Sequence, residues 1–242
     1  MAMVLDKISA INESFRPPLN EVDALNLELH RVGHQQFPWQ SKTTIADLMR
    51  YMLIYQNEEL QKIFERTIGV SHKDFFYLGF AVRGRFEREA WLNTETDYRV
   101  VGISKETSDT FFQRVVSGIE RLRQETIKTQ QYGPAWGYTF NPLQANPLVA
   151  LDPSYPNRVY CPIPAFAMAR ISSGLFYDLA SAEGFAHAFG EAFQAYVGRV
   201  IEEIGTVHAL QVFPECSFHV GKQIKHGIDW TLTDTSANLF IE

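Results

Sequence analysis

Residues 132–164 constrain this chain more than any other stretch, because they hold seven of its eleven prolines. Proline has no N–H to donate and its ring clashes with the preceding helical turn, so this density forbids a continued helix or a central strand. Aromatic residues stand between the prolines (Trp136, Tyr138, Phe140, Tyr155 and Tyr160), which is too much apolar surface for a floppy linker. The stretch reads as an ordered connection packed over its neighbours. It divides the chain into a front part, residues 1–131, the connection, residues 132–164, and a C-terminal part, residues 165–242.

The front part reads as an all-helical domain. Apolar residues recur at helical spacing at Ile45, Leu48, Met49, Met52 and Leu53, behind Thr43 and Thr44. A second helix is expected over residues 58–68, with Leu60, Ile63, Phe64 and Ile68 on one side. Ser71 is placed to cap a third, carrying Phe75, Phe76, Leu78 and Phe80. A short helix over residues 86–92 and one long helix over residues 104–128, capped by Ser104, complete the set. Arg114, Arg121, Arg123 and Lys128 make that long helix partly basic. A solvated face is the plain reading, and nucleic acid or a partner protein the functional one.

After the connection, residues 165–179 are apolar nearly all round and read as a buried helix. A helix over residues 185–205 follows, with Gly205 as its C-cap and Phe189, Phe193, Val197, Val200, Ile201 and Ile204 as its apolar stripe. The period then switches. Residues 207–213 alternate as a strand, Pro214 and Gly221 bracket a turn, and residues 229–242 carry two short alternating runs around a polar cluster, a hairpin signature. The fold class is α+β, mainly helical.

A net charge of −6 argues against a surface coated for nonspecific nucleic-acid binding but leaves room for a local basic groove. No apolar run approaches the roughly 18–20 residues that span a membrane. The N-terminus has no basic-then-apolar signal layout. Cys161 and Cys216 lie far apart without metal-ligand spacing. A soluble cytoplasmic protein is expected.

The closing hairpin carries the chemistry. If its turn is centred on Thr235 and Ser236, Asp229 pairs with Glu242. Opposed residues have Cβ atoms about 4.5–5.5 Å apart, close enough for two carboxylates to share one divalent cation. A phosphodiester is anionic, so its hydrolysis needs a cation more than a base. Hard oxygen ligands suit Mg²⁺, which polarises a phosphoryl oxygen and activates bound water. A register slip of one residue would send the two carboxylates to opposite faces, leaving a solvated surface hairpin.

A helix followed by three strands, with Asp on the second strand and Glu on the third, resembles the PD-(D/E)XK nuclease superfamily. Its restriction-endonuclease-like core has an Asp at the start of one strand, a variable gap, and Glu-x-Lys on the next. Here Gly227-Ile228-Asp229-Trp230 holds the Asp, twelve residues separate it from Glu242, and Leu239-Phe240-Ile241 form the apolar run usual before the Glu. The resemblance covers roughly residues 185–242. It implies that Asp229 and Glu242 are catalytic metal ligands for Mg²⁺ or Mn²⁺ in a bacterial DNA nuclease. Many members carry an acid on the first core helix, directly after a phenylalanine. Here Phe193 is followed by Gln194, with Glu191 as a nearby substitute. Lys222, Gln223 and Lys225 are candidates for edging a substrate groove. The family lysine would fall at position 244, so the expectation is the N-terminal part of a longer nuclease, inactive by itself. Defence against phage or foreign DNA is implied by analogy alone. The rival reading is a non-catalytic helical module that binds a protein partner.

Overall fold

The structure is a computed structural model in which residues 23, 25–26, 29–30, 44–132, 135, 139–234 and 236–241 are described. The expected site residue Glu242 therefore lies outside the described residues. The architecture is mainly helical α+β. It forms two compact units, one of Met1–Leu48 with Phe64–Leu179, the other of Met49–Ile63 with Ala180–Glu242. Among the described residues no helix is long and apolar enough to cross a membrane.

Local signals set the first helices. Helix α1, Ile45–Ile54, opens on Thr44, whose hydroxyl accepts from the Asp47 N–H at 3.2 Å while the Asp47 carboxylate accepts from the Thr44 N–H at 3.0 Å. The two exchange bonds as a capping box does. Helix α2 occupies the expected residues, Glu58–Ile68, and buries Leu60, Ile63, Phe64 and Ile68. Helix α3, His72–Arg85, is capped by Ser71, which accepts from the Asp74 N–H at 3.0 Å.

The expected long helix over residues 104–128 is two helices with a strand between them. Ser104 caps α4, Lys105–Val115, accepting from the Thr107 N–H at 3.1 Å. The chain then extends as β2, Val116–Gly118, before α5, Ile119–Thr129. Val115 and Val116 are β-branched, and Ser117 and Gly118 are weak helix formers. An extended segment there gains a parallel partner in β3, Leu148–Ala150, with Val116 opposite Leu148. Residues 86–92, expected as helix, turn instead into strand β1, Leu92–Asn93. With β4, Arg158–Tyr160, these strands make a sheet in the order β1-β4-β3-β2. The two inner strands come from the proline-dense stretch, where no central strand was expected. Pro147, Pro153, Pro156 and Pro162 all stand just outside the strands, so none has to donate to the ladder.

Helices α6, Pro164–Arg170, and α7, Leu175–Leu179, replace the single helix expected over residues 165–179. The buried Arg170 guanidinium pairs with Asp178 at 2.6 Å and donates from Nε to the Ala145 carbonyl at 2.8 Å. An ion pair this enclosed holds the two helices and the preceding loop in one arrangement. The aromatic core runs from Phe64 to Phe75 (ring centroids 5.7 Å apart) and on to Phe111 (4.9 Å). His72 is buried against Phe64 at 5.3 Å, and burial pushes its pKa down to about 4.

In the second unit, helix α8, Phe185–His208, leads into a three-stranded antiparallel sheet of β5, Gln211–Pro214, β8, Trp230–Thr233, and β9, Asn238–Ile241, in that order. A separate hairpin, β6, Phe218–Val220, with β7, Gln223–Lys225, is inserted between β5 and β8. The helix does not stop at Gly205. Its C-cap is Ala209, at φ +53°, and the Ala209 and Leu210 N–H groups both donate to the Gly205 carbonyl. Gly205 has another role: a methyl group there would collide with Val212, and one at Gly198 would stand 2.5 Å from Cζ2 of Trp230. The helix therefore meets the sheet at Gly198 and Gly205; of the expected stripe Ile201 is buried, while Phe193, Val200 and Ile204 are substantially exposed. The sheet supplies the bulk, so the helix must supply the space.

Two outcomes follow from this packing. Gly198→Ala is expected to lower stability by about 1–3 kcal/mol through overpacking against Trp230. Gly190→Ala, on an exposed part of the same helix with open space around it, is expected to raise it by up to about 1 kcal/mol through helix propensity. Thermal or denaturant unfolding of both variants checks the pair. For His72, the unfolded chain takes up a proton near pH 6.5, which the folded chain resists until about 4. Stability is full above pH 6.5 and falls as pH drops towards 4. Melting temperature against pH should show this loss, and His72→Leu should remove that part of the slope.

Candidate functional site

The site is built on the β8–β9 hairpin. Trp230 pairs with Ile241, Thr231 with Phe240, Leu232 with Leu239 and Thr233 with Asn238. These pairs have the same constant sum that sets Asp229 opposite Glu242 in the expected register. Asp229, half-buried, immediately precedes β8. Glu242 lies outside the described residues.

The turn explains why this register is chosen. The Asp234 carboxylate accepts from the Ser236 N–H at 2.7 Å, the Ala237 N–H at 2.8 Å and the Ser236 hydroxyl at 2.8 Å. The Asp234 N–H donates to the Ala237 carbonyl at 3.2 Å. An Asx-type turn of this kind needs the Asp at one position only, so it counts the residues on both sides. The same hydrogen bonds from Ser236 and Ala237 hold the Asp234 carboxyl below the usual carboxylate range.

Two features orient the face of the sheet. Val212, Leu232 and Leu239 lie opposite one another across the three strands, on the face shared by Trp230, which meets α8. The row Phe213, Thr231, Phe240 is on the other face, where both phenylalanines are exposed. Burial of Leu232 under the helix decides which row faces in.

The two helix candidates, Gln194 and Glu191, both lie on α8. Gln194 is four residues before Gly198 and Glu191 seven before it, so both share the face of α8 that meets Trp230. Both are exposed, because they lie one and two turns beyond that contact. Glu191 lies on this face because the face that meets Trp230 is the one carrying Gly198. Glu191 stands 3.3 Å from His187 Nε2.

Lys222, Gln223 and Lys225 all fall on the inserted hairpin, Lys222 in its turn and the other two on β7. All three are exposed. The base of the hairpin is closed by the Gly227 N–H donating to the Cys216 carbonyl at 3.2 Å, and by His226 Nδ1, 2.8 Å from Glu215 Oε1. By contrast, the basic residues of the expected long helix are largely engaged by neighbours. Arg121 pairs with Glu125, Arg123 with Glu120, and Arg114 donates to the Thr67 carbonyl at 2.8 Å.

Among the described residues no group of three or more His, Cys, Asp or Glu side chains is spaced to hold a metal ion. A separate groove of about 650 Å³, mostly apolar, lies in the first unit between α5, the loop of residues 141–143, and β3 with the chain just after it. Sequence reasoning missed it. Its walls include Ile119, Leu122, Ile127, Pro142, Leu143 and Leu151, and the split of the long helix that creates it depends on the β2–β3 pairing. No family model, curated protein or solved structure matches this chain.

The turn yields a direct expectation. Asp234→Ala removes three accepted hydrogen bonds from the residues that set the register, so amide exchange at Leu232 and Leu239 should quicken relative to wild type. Exchange at the α3 amides of the first unit should be unchanged.

Proposed function

We propose that this chain carries the metal-binding part of a restriction-endonuclease-like, Mg²⁺- or Mn²⁺-dependent DNA nuclease, working in the cytoplasm of a bacterium, with defence against phage or foreign DNA as its setting. The observation that carries the proposal is the register of β8 and β9, whose pairing sum is the one required for Asp229 and Glu242 to face one cation. The order of α8 and the antiparallel β5-β8-β9 sheet supports it, as does the helix face shared by Gly198, Gln194 and Glu191, which extends past Trp230 on the side where β8 begins.

In this reading Asp229 and Glu242 hold the cation through hard oxygen ligands. When bound, the cation supplies charge for the phosphodiester and a more acidic water. Gln194, with Glu191 behind it, orients groups around that cation from the helix. Trp230, seated on Gly198, fixes where the strand carrying Asp229 begins. The direct test of this reading is metal binding. Calorimetric titration with Mn²⁺ and Mg²⁺ should show a site in the wild type whose affinity falls at least tenfold in Asp229→Ala. No binding in a folded wild-type chain overturns the proposal.

The apolar groove beside α5 favours a second reading for the first unit, the docking of a protein partner. Its lining is largely aliphatic, and Ile127 is among the exposed large hydrophobic residues of the molecule.

A further inference from the structure

The inserted hairpin is an unusual element to leave in water. All six residues of β6 and β7 are exposed, and they include three large apolar side chains: Phe218 at 50%, Val220 at 56% and Ile224 at 60% exposure. A lone two-stranded ribbon is marginal in water at best, and such side chains on it call for a partner. The charge on the ribbon identifies the partner's sign. Between Ser217 and Ile228 there is no acidic residue, while Lys222, Lys225 and His219 occur, and His226 is paired with Glu215 at the base. Neither lysine forms an ion pair among the described residues. In a chain of net charge −6, this is a local basic element.

Its geometry is equally specific. Phe218 pairs with Lys225 and Val220 with Gln223, so these four side chains share one face. His219 and Ile224 share the other. Gly221, at φ +64°, makes the tight turn and presents Lys222 at the tip. The ribbon leaves its base at Gly227 and reaches Asp229 two residues later, four residues after Lys225.

We propose that the β6–β7 hairpin is a duplex-DNA grip that enters the major groove beside Asp229. A two-stranded ribbon fits a B-form major groove, about 12 Å wide, and ribbons are an established way of entering it. The A-form major groove of RNA is too deep and narrow for side chains to read, which selects DNA over RNA. Lys222 and Lys225 contact phosphates. Phe218 and Val220, on the face shared with Lys225, find apolar cover on base edges, thymine methyl groups among them, and Ile224 on the other face lies against sugars of the groove wall. The inference rests on the nuclease reading for its placement beside Asp229, but it concerns binding and not metal.

The experiment uses the full chain, a fluorescein-labelled DNA duplex of about 20 base pairs, and EDTA, with anisotropy measured across a salt series. Wild type is expected to bind, and Lys222→Gln with Lys225→Gln to bind at least tenfold more weakly at about 0.1 M salt. The slope of log affinity against log salt should fall by about 1.8, from two lost phosphate contacts at about 0.9 each. Lys222→Arg with Lys225→Arg should bind like wild type, and duplex RNA of equal length at least tenfold more weakly than DNA. Circular dichroism confirms that the variants fold. Wild-type affinity and slope in the glutamine variant, no DNA binding by wild type, or equal binding of duplex RNA each overturns the proposal. DNA binding is read in EDTA and therefore independently of any cation at Asp229. Loss of the metal reading in the calorimetric titration is thereby distinguished from loss of the grip.

Discussion

The contact on which the candidate site depends is the close approach of α8 to its sheet, with Trp230 against Gly198 and Val212 against Gly205. Protein interiors are packed like organic crystals, so bulk on one surface must be matched by space on the other. Here an indole and an isopropyl group project from the sheet, and two glycines seven residues apart on the helix receive them. The spacing of seven returns to nearly the same face of the helix after two turns. Because Trp230 is the residue after Asp229, the packing that seats the indole also fixes where the candidate metal ligand begins its strand.

A second constraint acts at the other end of the hairpin. Asp234 collects hydrogen bonds from Ser236 and Ala237, and this sets the count of residues between the strands. Side chains alternate with a period of two, so a slip of one residue would expose Leu232 and turn the row of Thr231 and Phe240 inward. Turn chemistry and burial of Leu232 therefore select the same register. That agreement between a local and a long-range preference makes the pairing of β8 with β9 well specified.

Several of these features were legible from residue types alone. Ser71 and Ser104 cap helices because a hydroxyl before a helical run has unsatisfied N–H groups to accept from. Helix α2 was legible because Leu60, Ile63, Phe64 and Ile68 repeat with the helical period. The register of β8 and β9 was legible because the polar cluster between two alternating runs leaves few places for a turn. What could not be read was set by partners distant in sequence. Val116 and Ser117 are extended because Leu148 and Val149 lie alongside them, which nothing near residue 116 announces. The proline-dense stretch reads as a connection, yet its inner strands fit between prolines, since the rule acts at single positions and density does not reveal the gaps. The rotation of α8 was hidden for a related reason: apolar periodicity locates the large residues, and here the close contacts with the sheet are made at Gly198 and Gly205, with Ile201 the stripe residue that is buried.

The sequence by itself determined the mainly helical α+β class, the capped helices, and the register of the closing hairpin, in which Trp230 pairs with Ile241. These follow from periods, caps and turns, which act over a few residues. Only the tertiary structure decided that the face of α8 carrying Glu191, Gln194 and Gly198 is the one that meets the sheet, and that Lys222, Gln223 and Lys225 stand on an uncovered ribbon. Those outcomes depend on the fit of Trp230 and Val212 into spaces left by glycines far away in the chain, and a fit between two surfaces exists only once both have been built.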